Sequence, residues 1–186
     1  MRIVGGKFKG RRLCAPSSNL IRPTSDKTRE SLFNILEHQY GYIFDSGNML
    51  DLFAGSGAVG FEALSRGMEF VLFVDKSIEA RTLIRKNIEL MDLFGCTKLF
   101  KRDATNLGQN IKFPPFNFIF ADPPYNRSMA DKAILVAANY GWLKHQALIV
   151  IEEQVGCEIK LDDRFLCLET RLFGETQLHI YEYGES

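Results

Sequence analysis

The stretch "MLDLFAGSGAVGFEAL", residues 49–64, carries the pattern that decides the fold. An apolar run is followed at once by three closely spaced glycines, Gly55, Gly57 and Gly60, and then by an apolar segment compatible with a helix. Glycine tolerates backbone conformations that other residues avoid, so this loop can turn tightly and bring its N–H groups close to a ligand. The pattern predicts a strand, a ligand-binding loop and a helix, the opening unit of an α/β fold.

The alternation of strand and helix continues towards the carboxyl end. Repeated units of this kind predict a mainly parallel sheet with helices on both faces. The last two apolar stretches flank Gly174 with no helix between them and predict a terminal antiparallel hairpin. The predicted strands are Asn48–Phe53, Phe70–Asp75, Thr97–Asp103, Asn117–Asp122 and one from Ala147, and the predicted helices are Ala58–Arg66, Ile78–Leu93 behind a Ser77 cap, and Met129–Tyr140.

The segment before the first strand has a different character. "RIVGGKFKGRRLCAP" predicts a small β-hairpin, and a helix is predicted from Asp26 to Gln39 with Ser25 as its N-cap. With 186 residues, 46% of them apolar, the chain is long enough for one substantial core and a small appendage. We therefore divide it into an appendage, residues 1–40, and a catalytic domain, residues 41–186.

The charge of the chain is unevenly distributed, although 23 basic and 23 acidic side chains cancel overall. The first 29 residues hold eight lysines and arginines against one acid, Asp26, for a net charge of +7, and the remainder carries −7. A basic end on an otherwise acidic chain indicates contact with a polyanion such as a nucleic acid. Phe8, between two lysines, is a candidate for stacking on a base, although a hairpin aromatic more often packs inward.

The four cysteines and three histidines are scattered, with no C-x-x-C pair. These spacings favour neither a zinc site nor a disulfide framework, so we predict no metal. No apolar run approaches the length of a membrane span, and the basic start lacks the apolar core of a signal peptide. We expect a cytoplasmic protein.

The glycine loop fits two nucleoside cofactors. Its glycines satisfy G-x-G-x-x-G, and Asp75 lies 20 residues after Gly55, where an acid binds ribose hydroxyls in dinucleotide-binding folds. Asp51, four residues before Gly55, separates the two possibilities. A carboxylate there is awkward beside a pyrophosphate, but it suits a cofactor that carries an ammonium and a sulfonium.

A second motif, "DPPY" at residues 122–125, ends the fourth predicted strand. Prolines cannot extend a strand ladder, so the bend is stiff and lies at the sheet edge where ligands bind. If Asp122 and the carbonyl of Pro123 accept the two N–H groups of an exocyclic amine, its nitrogen can pyramidalise and present its lone pair. Stiffness means that these acceptors need little reorganisation, and Tyr125 can stack on the base.

Taken together, "GGKFKGR", "RPTSDKTRE", "DLFAGSG", "DPPY" and "RLFGETQLHIYEY" resemble the bacterial 16S ribosomal RNA guanine-N2 methyltransferases that act on guanine 966. The resemblance spans nearly the whole chain. It implies a Rossmann-like class I methyltransferase with a seven-stranded sheet, S-adenosylmethionine as methyl donor, no metal, and 16S RNA, within the small subunit or an assembly intermediate, as partner of a monomeric enzyme.

The resemblance also assigns residues. The catalytic set is Asp122, Pro123, Pro124 and Tyr125. The cofactor set is Asp51, Phe53, Ala54, Gly55, Ser56, Gly57, Asp75, Lys76, Asp103 and Ala104, with Asp103 at the adenine. The RNA-binding set is Lys7, Lys9, Arg11, Arg12, Arg22 and Arg29. Arg22, Thr24 and Arg29 match the family pattern, and the sequence leaves three roles open for them: contacting RNA, covering the cofactor or anchoring the appendage.

Four alternatives remain at this stage. "DPPY" also serves DNA methyltransferases that act on adenine N6 or cytosine N4, but those require a target-recognition insertion for which this chain has no room. Methylation of a protein glutamine usually uses a motif that begins with Asn. An NAD-dependent oxidoreductase would leave "DPPY" and the basic end unexplained, and a non-enzymatic RNA-binding module would not need a cofactor loop.

Overall fold

A computed structural model describes residues 1–16, 25–124 and 129–184. Its centre is a seven-stranded sheet in the order β3-β2-β1-β4-β5-β7-β6. Strands β1 to β5 are parallel, and β7 lies antiparallel between β5 and β6, so the predicted sheet and terminal hairpin are confirmed. The strands are β1 (Asn48–Leu52), β2 (Phe70–Val74), β3 (Thr97–Phe100), β4 (Phe116–Ala121), β5 (Leu143–Gln154), β6 (Phe165–Phe173) and β7 (Thr176–Tyr183).

Four helices complete the described fold: α1 (Asp26–Tyr40), α2 (Ala58–Ser65), α3 (Ile78–Met91) and α4 (Met129–Asn139). Ser25 caps α1 by accepting a hydrogen bond from the N–H of Thr28 at 3.0 Å, and Ser77 caps α3 by accepting from Ala80 at 3.3 Å. Both predicted N-caps are therefore confirmed, because a side-chain oxygen satisfies an N–H group that has no partner within the helix.

The helices divide the core into two layers. Helices α1, α2 and α3 pack on one face of the sheet, against residues such as Phe73 and Phe120. Helix α4 packs on the other face, against their neighbours such as Leu72 and Ile119. Successive strand side chains point to opposite faces, so strands with apolar residues at nearly every position are buried on both sides.

Strand boundaries differ from the prediction by a few residues. Strand β5 begins at Leu143, four residues earlier than predicted, and Gln146 has a φ angle of 60° where the pairing with β4 shifts register. The irregularity interrupts the apolar alternation, so the early part of the strand is not evident from the sequence. At the other end, strands β2, β3 and β4 finish before the predicted Asp75, Asp103 and Asp122 and leave those acids in loops.

The predicted β-hairpin at the amino end is present in a short form. Residues 1–14 reverse direction around a 3₁₀ turn at Gly6–Phe8, with a bridge between Arg2 and Arg12. The N–H groups of Ile3, Gly10 and Leu13 donate to carbonyls of the opposite arm at 3.0, 2.9 and 3.2 Å. The backbone N–H groups of Val4 and Gly5 bond to the carboxylate of Glu62 in α2, at 2.9 and 2.7 Å, instead of to a partner strand. At these two residues, a side chain of α2 takes the place of a partner strand.

The Glu62 carboxylate is the centre of a buried charge cluster, which we call the Glu62 clamp. Besides Val4 and Gly5, it contacts Arg66 at 2.9 Å and Arg29 at 3.4 Å. Arg29 is fully buried, also pairs with Asp26 at 2.9 Å and donates to the carbonyl of Arg2. A phosphate contact is not available to a side chain in this position, which corrects the predicted RNA contact of Arg29 and favours the anchoring role.

Candidate active site

A cleft of about 610 Å³ opens at the carboxyl edge of the parallel strands, where ligands bind in open α/β sheets. It has two parts, which we name by their central features. The glycine-loop half is lined by Asp51, Phe53, Ala54, Gly55, Ser56, Asp75 and Lys76. The Asp122 half is lined by Asp122, Pro123, Pro124, Glu152, Phe173, Glu175 and Thr176, with Ser25 and Thr28 at the start of α1.

The glycine loop adopts the tight turn that its sequence predicts. Gly57 precedes α2 with a φ angle of 76°, and a Cβ atom there would lie 2.8 Å from the ring of Phe61. Gly60 is inside α2, where a Cβ atom would collide with the ring of Phe73 in β2. The loop therefore needs glycine at one position for its backbone conformation and at the other for close helix–strand packing.

Asp51 is a strongly perturbed acid of the cleft. It is at the end of β1, only 2% exposed, and its Oδ2 atom has no hydrogen-bond partner within the described residues. Burial, together with the nearby negative charge of Asp75, raises the pKa of Asp51 to about 8. A buried carboxylate in this state gains most from a cationic ligand, because a cation stabilises the ionised form that burial disfavours.

The carboxylate of Asp75 links two loops by hydrogen bonds. One of its oxygens accepts a hydrogen bond from the N–H of Gly55 at 2.9 Å, and the other accepts from the N–H of Ser77 at 2.8 Å. These bonds fix the carboxylate at the mouth of the glycine-loop half, next to the end of β1. The structure therefore brings Asp51, Gly55 and Asp75 into one site, as the sequence predicted.

Asp103 and Ala104 lie outside the cleft lining, although Asp103 is linked to it through Lys76. The ammonium of Lys76 is 2.8 Å from Asp103, and this contact, with hydrogen bonds from Thr105, lowers the pKa of Asp103 to about 2. The carboxylate therefore stays ionised and keeps its capacity to accept further bonds near the outer end of the glycine-loop half.

The Asp122 half begins where β4 ends at Ala121. Asp122, Pro123 and Pro124 line the same cavity as the glycine loop, with Pro123 buried and Pro124 exposed. The two prolines end the strand at this edge, as predicted from their missing N–H groups. Tyr125, like Arg22 and Thr24, lies outside the described residues.

Several residues of the Asp122 half were missed in the sequence. Glu152 lies near the end of β5, while Phe173 and Thr176 flank the turn between β6 and β7. A signal for Glu152 existed, because "ALIVIEE" ends in acids at the carboxyl edge just as the fourth strand ends in Asp122. No comparable signal marks Phe173 or Thr176, which reach the cleft only through the folding back of the terminal hairpin.

The four remaining basic residues of the predicted RNA-binding set within the described ranges are exposed: Lys7, Lys9, Arg11 and Arg12. Phe8 is only half-buried, and its ring is covered by the ammonium of Lys7 at 4.7 Å and the guanidinium of Arg11 at 5.1 Å from its centroid. The ring thus packs against the core and two cations.

Two further searches concern metals and membranes. Within residues 1–16, 25–124 and 129–184, no three histidine, cysteine or acidic side chains are grouped to hold a metal ion. None of the helices in these ranges is both long and apolar enough to cross a bilayer.

Comparison with known proteins adds sequence and structural relatives. The family model "Conserved hypothetical protein 95" matches residues 1–182. Ribosomal RNA small subunit methyltransferase D of Escherichia coli K12 is 35% identical over 155 residues, 83% of this chain and 75% of the relative. The Haemophilus influenzae protein of the same name is 32% identical over 184 residues, 98% of this chain and 93% of the relative.

Solved structures agree with these relatives. The structure of yhhF from Escherichia coli, described there as a methyltransferase, superposes with a TM-score of 0.86 and 30% identity, covering 100% of this chain and 99% of that one. A hypothetical protein of Thermus thermophilus superposes with a TM-score of 0.74 and 28% identity over 97% of this chain and 98% of that one.

Proposed function

This chain belongs to the family of conserved hypothetical protein 95, together with the ribosomal RNA small subunit methyltransferases D, and from that premise we propose its reaction. The chain is a ribosomal RNA methyltransferase. It transfers a methyl group from S-adenosylmethionine to the exocyclic N2 of one guanine in 16S RNA, guanine 966 by family resemblance. We further propose that it works in the cytoplasm as a monomer, on the small subunit or an assembly intermediate.

One observation carries the proposal: a single cavity joins Asp51 to Asp122. Asp51 offers a buried carboxylate oxygen without a partner among the described residues, which suits a cationic group. Asp122 and Pro123 offer acceptors at the end of a neighbouring strand, which suit an amine. A cleft with a site for a cation at one end and a site for an amine at the other is what methyl transfer to nitrogen requires.

The residues of the glycine-loop half fit S-adenosylmethionine. Its ammonium would meet Asp51, and its ribose hydroxyls would donate to Asp75, whose carboxylate is held by two backbone N–H groups. When bound, this cofactor supplies an electrophilic methyl group. A dinucleotide fits less well, because the buried Asp51 is stabilised in its ionised form by a cation and a pyrophosphate supplies none.

Catalysis then depends mainly on positioning in the Asp122 half. The lone pair of an exocyclic amine is delocalised into the base, which makes the nitrogen a weak nucleophile. Asp122 and the carbonyl of Pro123 accept its two N–H bonds, so that the nitrogen pyramidalises and directs its lone pair at the methyl group. Orientation of this kind contributes roughly 7–11 kcal/mol to a well-aligned bimolecular reaction.

The exposed basic residues of the amino-terminal segment supply the RNA contact. Lys7, Lys9, Arg11 and Arg12 are available to phosphates, and the Glu62 clamp holds the segment that bears them on α2. The described residues contain no inserted domain for reading a DNA sequence, which favours a structured RNA over a DNA substrate.

The test is transfer of a radiolabelled methyl group. Purified protein is incubated with labelled S-adenosylmethionine and unmethylated 16S RNA, either naked or in assembled small subunits, with duplex DNA as competitor. We expect label at N2 of one guanine, and no label with Asp122→Ala. Digestion of the RNA and chromatography of its nucleosides identify the product.

The outcomes separate the parts of the proposal. Preference for assembled subunits over naked RNA would identify the particle as the substrate. Label in DNA, or no transfer to RNA despite cofactor binding, would contradict the ribosomal assignment. Failure to bind S-adenosylmethionine would contradict the cofactor assignment as well.

A further inference from the structure

The Asp122 half contains a second carboxylate that the proposed reaction leaves without a role. Glu152 is only 5% exposed and lines the cleft together with Asp122 and Pro123. A carboxylate has two oxygens with about four acceptor sites, so it can accept a bond from a ligand in addition to its interactions within the protein. Its position beside the acceptors for the target amine points to a function in target binding.

The strand register determines how these two acids are placed. Strands β4 and β5 are parallel, with Phe120 beside Val150 and Ala121 beside Ile151. The pairing ends there, and the next residues of the two chains, Asp122 and Glu152, both line the cleft. Neighbouring strands are about 4.8 Å apart, so both carboxylates belong to the same part of the cleft edge.

Two adjacent acceptors match one nucleobase edge. Guanine carries two kinds of donor next to each other, the N2 amine and the N1–H group. In adenine and cytosine, the ring nitrogen beside the exocyclic amine has no hydrogen and is itself an acceptor. Enzymes that withdraw a base from its helix commonly read this edge by hydrogen bonding.

Resting on the function proposed above, we propose that Glu152 accepts the N1–H of the target guanine and thereby selects guanine over adenine and cytosine. Asp122 and Pro123 hold the amine that reacts, while Glu152 holds the ring nitrogen next to it. For adenine or cytosine, the Glu152 carboxylate would face a lone pair, leaving two buried acceptors opposed. Sites built to bond an N–H group reject ligands that lack it far more strongly than apolar pockets reject a missing methylene.

The test replaces the target guanine with 2-aminopurine in ligated 16S RNA assembled into small subunits. 2-Aminopurine keeps the amine at C2 but has an acceptor at N1 in place of the N–H group. We expect wild type to show a kcat/KM at least about 100-fold higher for guanine than for 2-aminopurine. In Glu152→Gln, whose amide can donate as well as accept, we expect that ratio to fall below about 10.

The comparison between wild type and Glu152→Gln isolates the contact with N1 of the base. 2-Aminopurine also lacks the 6-oxo group of guanine, but that loss is common to wild type and variant and cancels in the ratio of ratios. Glu153→Gln is the matched control, because Glu153 is the next residue of β5, is equally buried and points to the opposite face of the sheet. We expect it to leave the ratio unchanged.

An unchanged ratio in Glu152→Gln would overturn the inference, as would equal methylation of both bases by wild type. The second result needs no variant, so the inference can be tested even if Glu152→Gln does not fold. If wild type fails to methylate guanine in RNA, the proposed function itself is overturned. Thermal unfolding and cofactor affinity of both variants show that only base selection has changed.

Discussion

The two halves of the cleft are built in opposite ways. The glycine-loop half comes from one short piece of chain, since Asp51, the glycines and Asp75 lie within 25 residues and two adjacent strands. The Asp122 half is assembled from β4, β5, the turn between β6 and β7, and the start of α1. The first half can be encoded as a local motif, whereas the second exists only after distant segments have folded together.

This difference predicts that the halves can be inactivated separately. Asp122→Ala should lower kcat by roughly 10³-fold or more, because the amine loses an acceptor that was positioned in advance. The affinity for S-adenosylmethionine should change by less than about 3-fold, since Asp122 contributes nothing to the glycine-loop half. Single-turnover kinetics and calorimetric titration measure the two effects, and a parallel loss of both would mean that the halves are not independent.

Asp51→Asn should have the converse effect. Removal of the buried charge should weaken binding of S-adenosylmethionine by about 100-fold, as expected when a charged hydrogen bond is lost from an enclosed site. At saturating cofactor, kcat should remain within about 10-fold of wild type, because the Asp122 half is intact. Calorimetry and initial-rate assays over a wide range of cofactor concentrations provide the measurements, and a large fall in kcat at unchanged affinity would contradict this division.

The pH dependence of cofactor binding tests the glycine-loop half in more detail. Because the pKa of Asp51 is raised to about 8, its carboxyl is protonated at neutral pH and must lose that proton to bind an ammonium. Affinity for S-adenosylmethionine should therefore rise between pH 6 and 8, by at most about 10-fold per unit, and then level off. Binding measured at several pH values should lose this slope in Asp51→Asn, and a slope that persists there would assign the proton to another group.

Protonation of Asp51 also predicts how the free energy of unfolding depends on pH. Without cofactor, the folded protein keeps the Asp51 proton up to about pH 8, whereas the unfolded chain loses it near 3.8. The free energy of unfolding should fall as pH rises between these values, by at most about 1.4 kcal/mol per unit. Urea unfolding of the cofactor-free protein should show Asp51→Asn gaining on wild type across this range. An equal pH dependence in both proteins would contradict the pKa assignment.

The smallest effect concerns the exposed lysines that we propose to contact RNA. Lys7→Ala and Lys9→Ala should each weaken RNA binding by several-fold and reduce its salt dependence by roughly one released ion. Cofactor affinity should not change, because both side chains are exposed and away from the cleft lining. Filter binding at several salt concentrations measures the slope, with Lys144→Ala on β5 as an exposed control lysine.

One half of the cleft comes from a short piece of chain and the other from distant segments. This difference also explains which site residues the sequence could predict. Asp51, Gly57 and Asp75 were found because their spacing along the chain is itself the motif. Glu152 was missed because its place beside Asp122 depends on the register between two strands separated by α4. The same limit applies to Arg29, whose charge was counted as surface charge although its partner Glu62 lies 33 residues away.

The hairpin prediction was incomplete for a related reason. The residues before Leu13 have β-prone side chains, and nothing in their sequence shows that their N–H groups will bond to carboxylate and hydroxyl oxygens of α2. Helix caps at Ser25 and Ser77 depend on residues only three positions away and were predicted correctly. Predictions from the sequence were thus correct where the partner lies a few residues away, and incomplete where the partner lies tens of residues away.

The Glu62 clamp also imposes an order on assembly. The amino-terminal segment is synthesised first, yet Gly5 finds its acceptor 57 residues later in Glu62, and Cys14 finds its acceptor 73 residues later in Asn87. Contacts between such distant residues require the closure of long loops and form slowly. The lysines that we propose to contact RNA therefore reach their final positions only after α2 and α3 have packed.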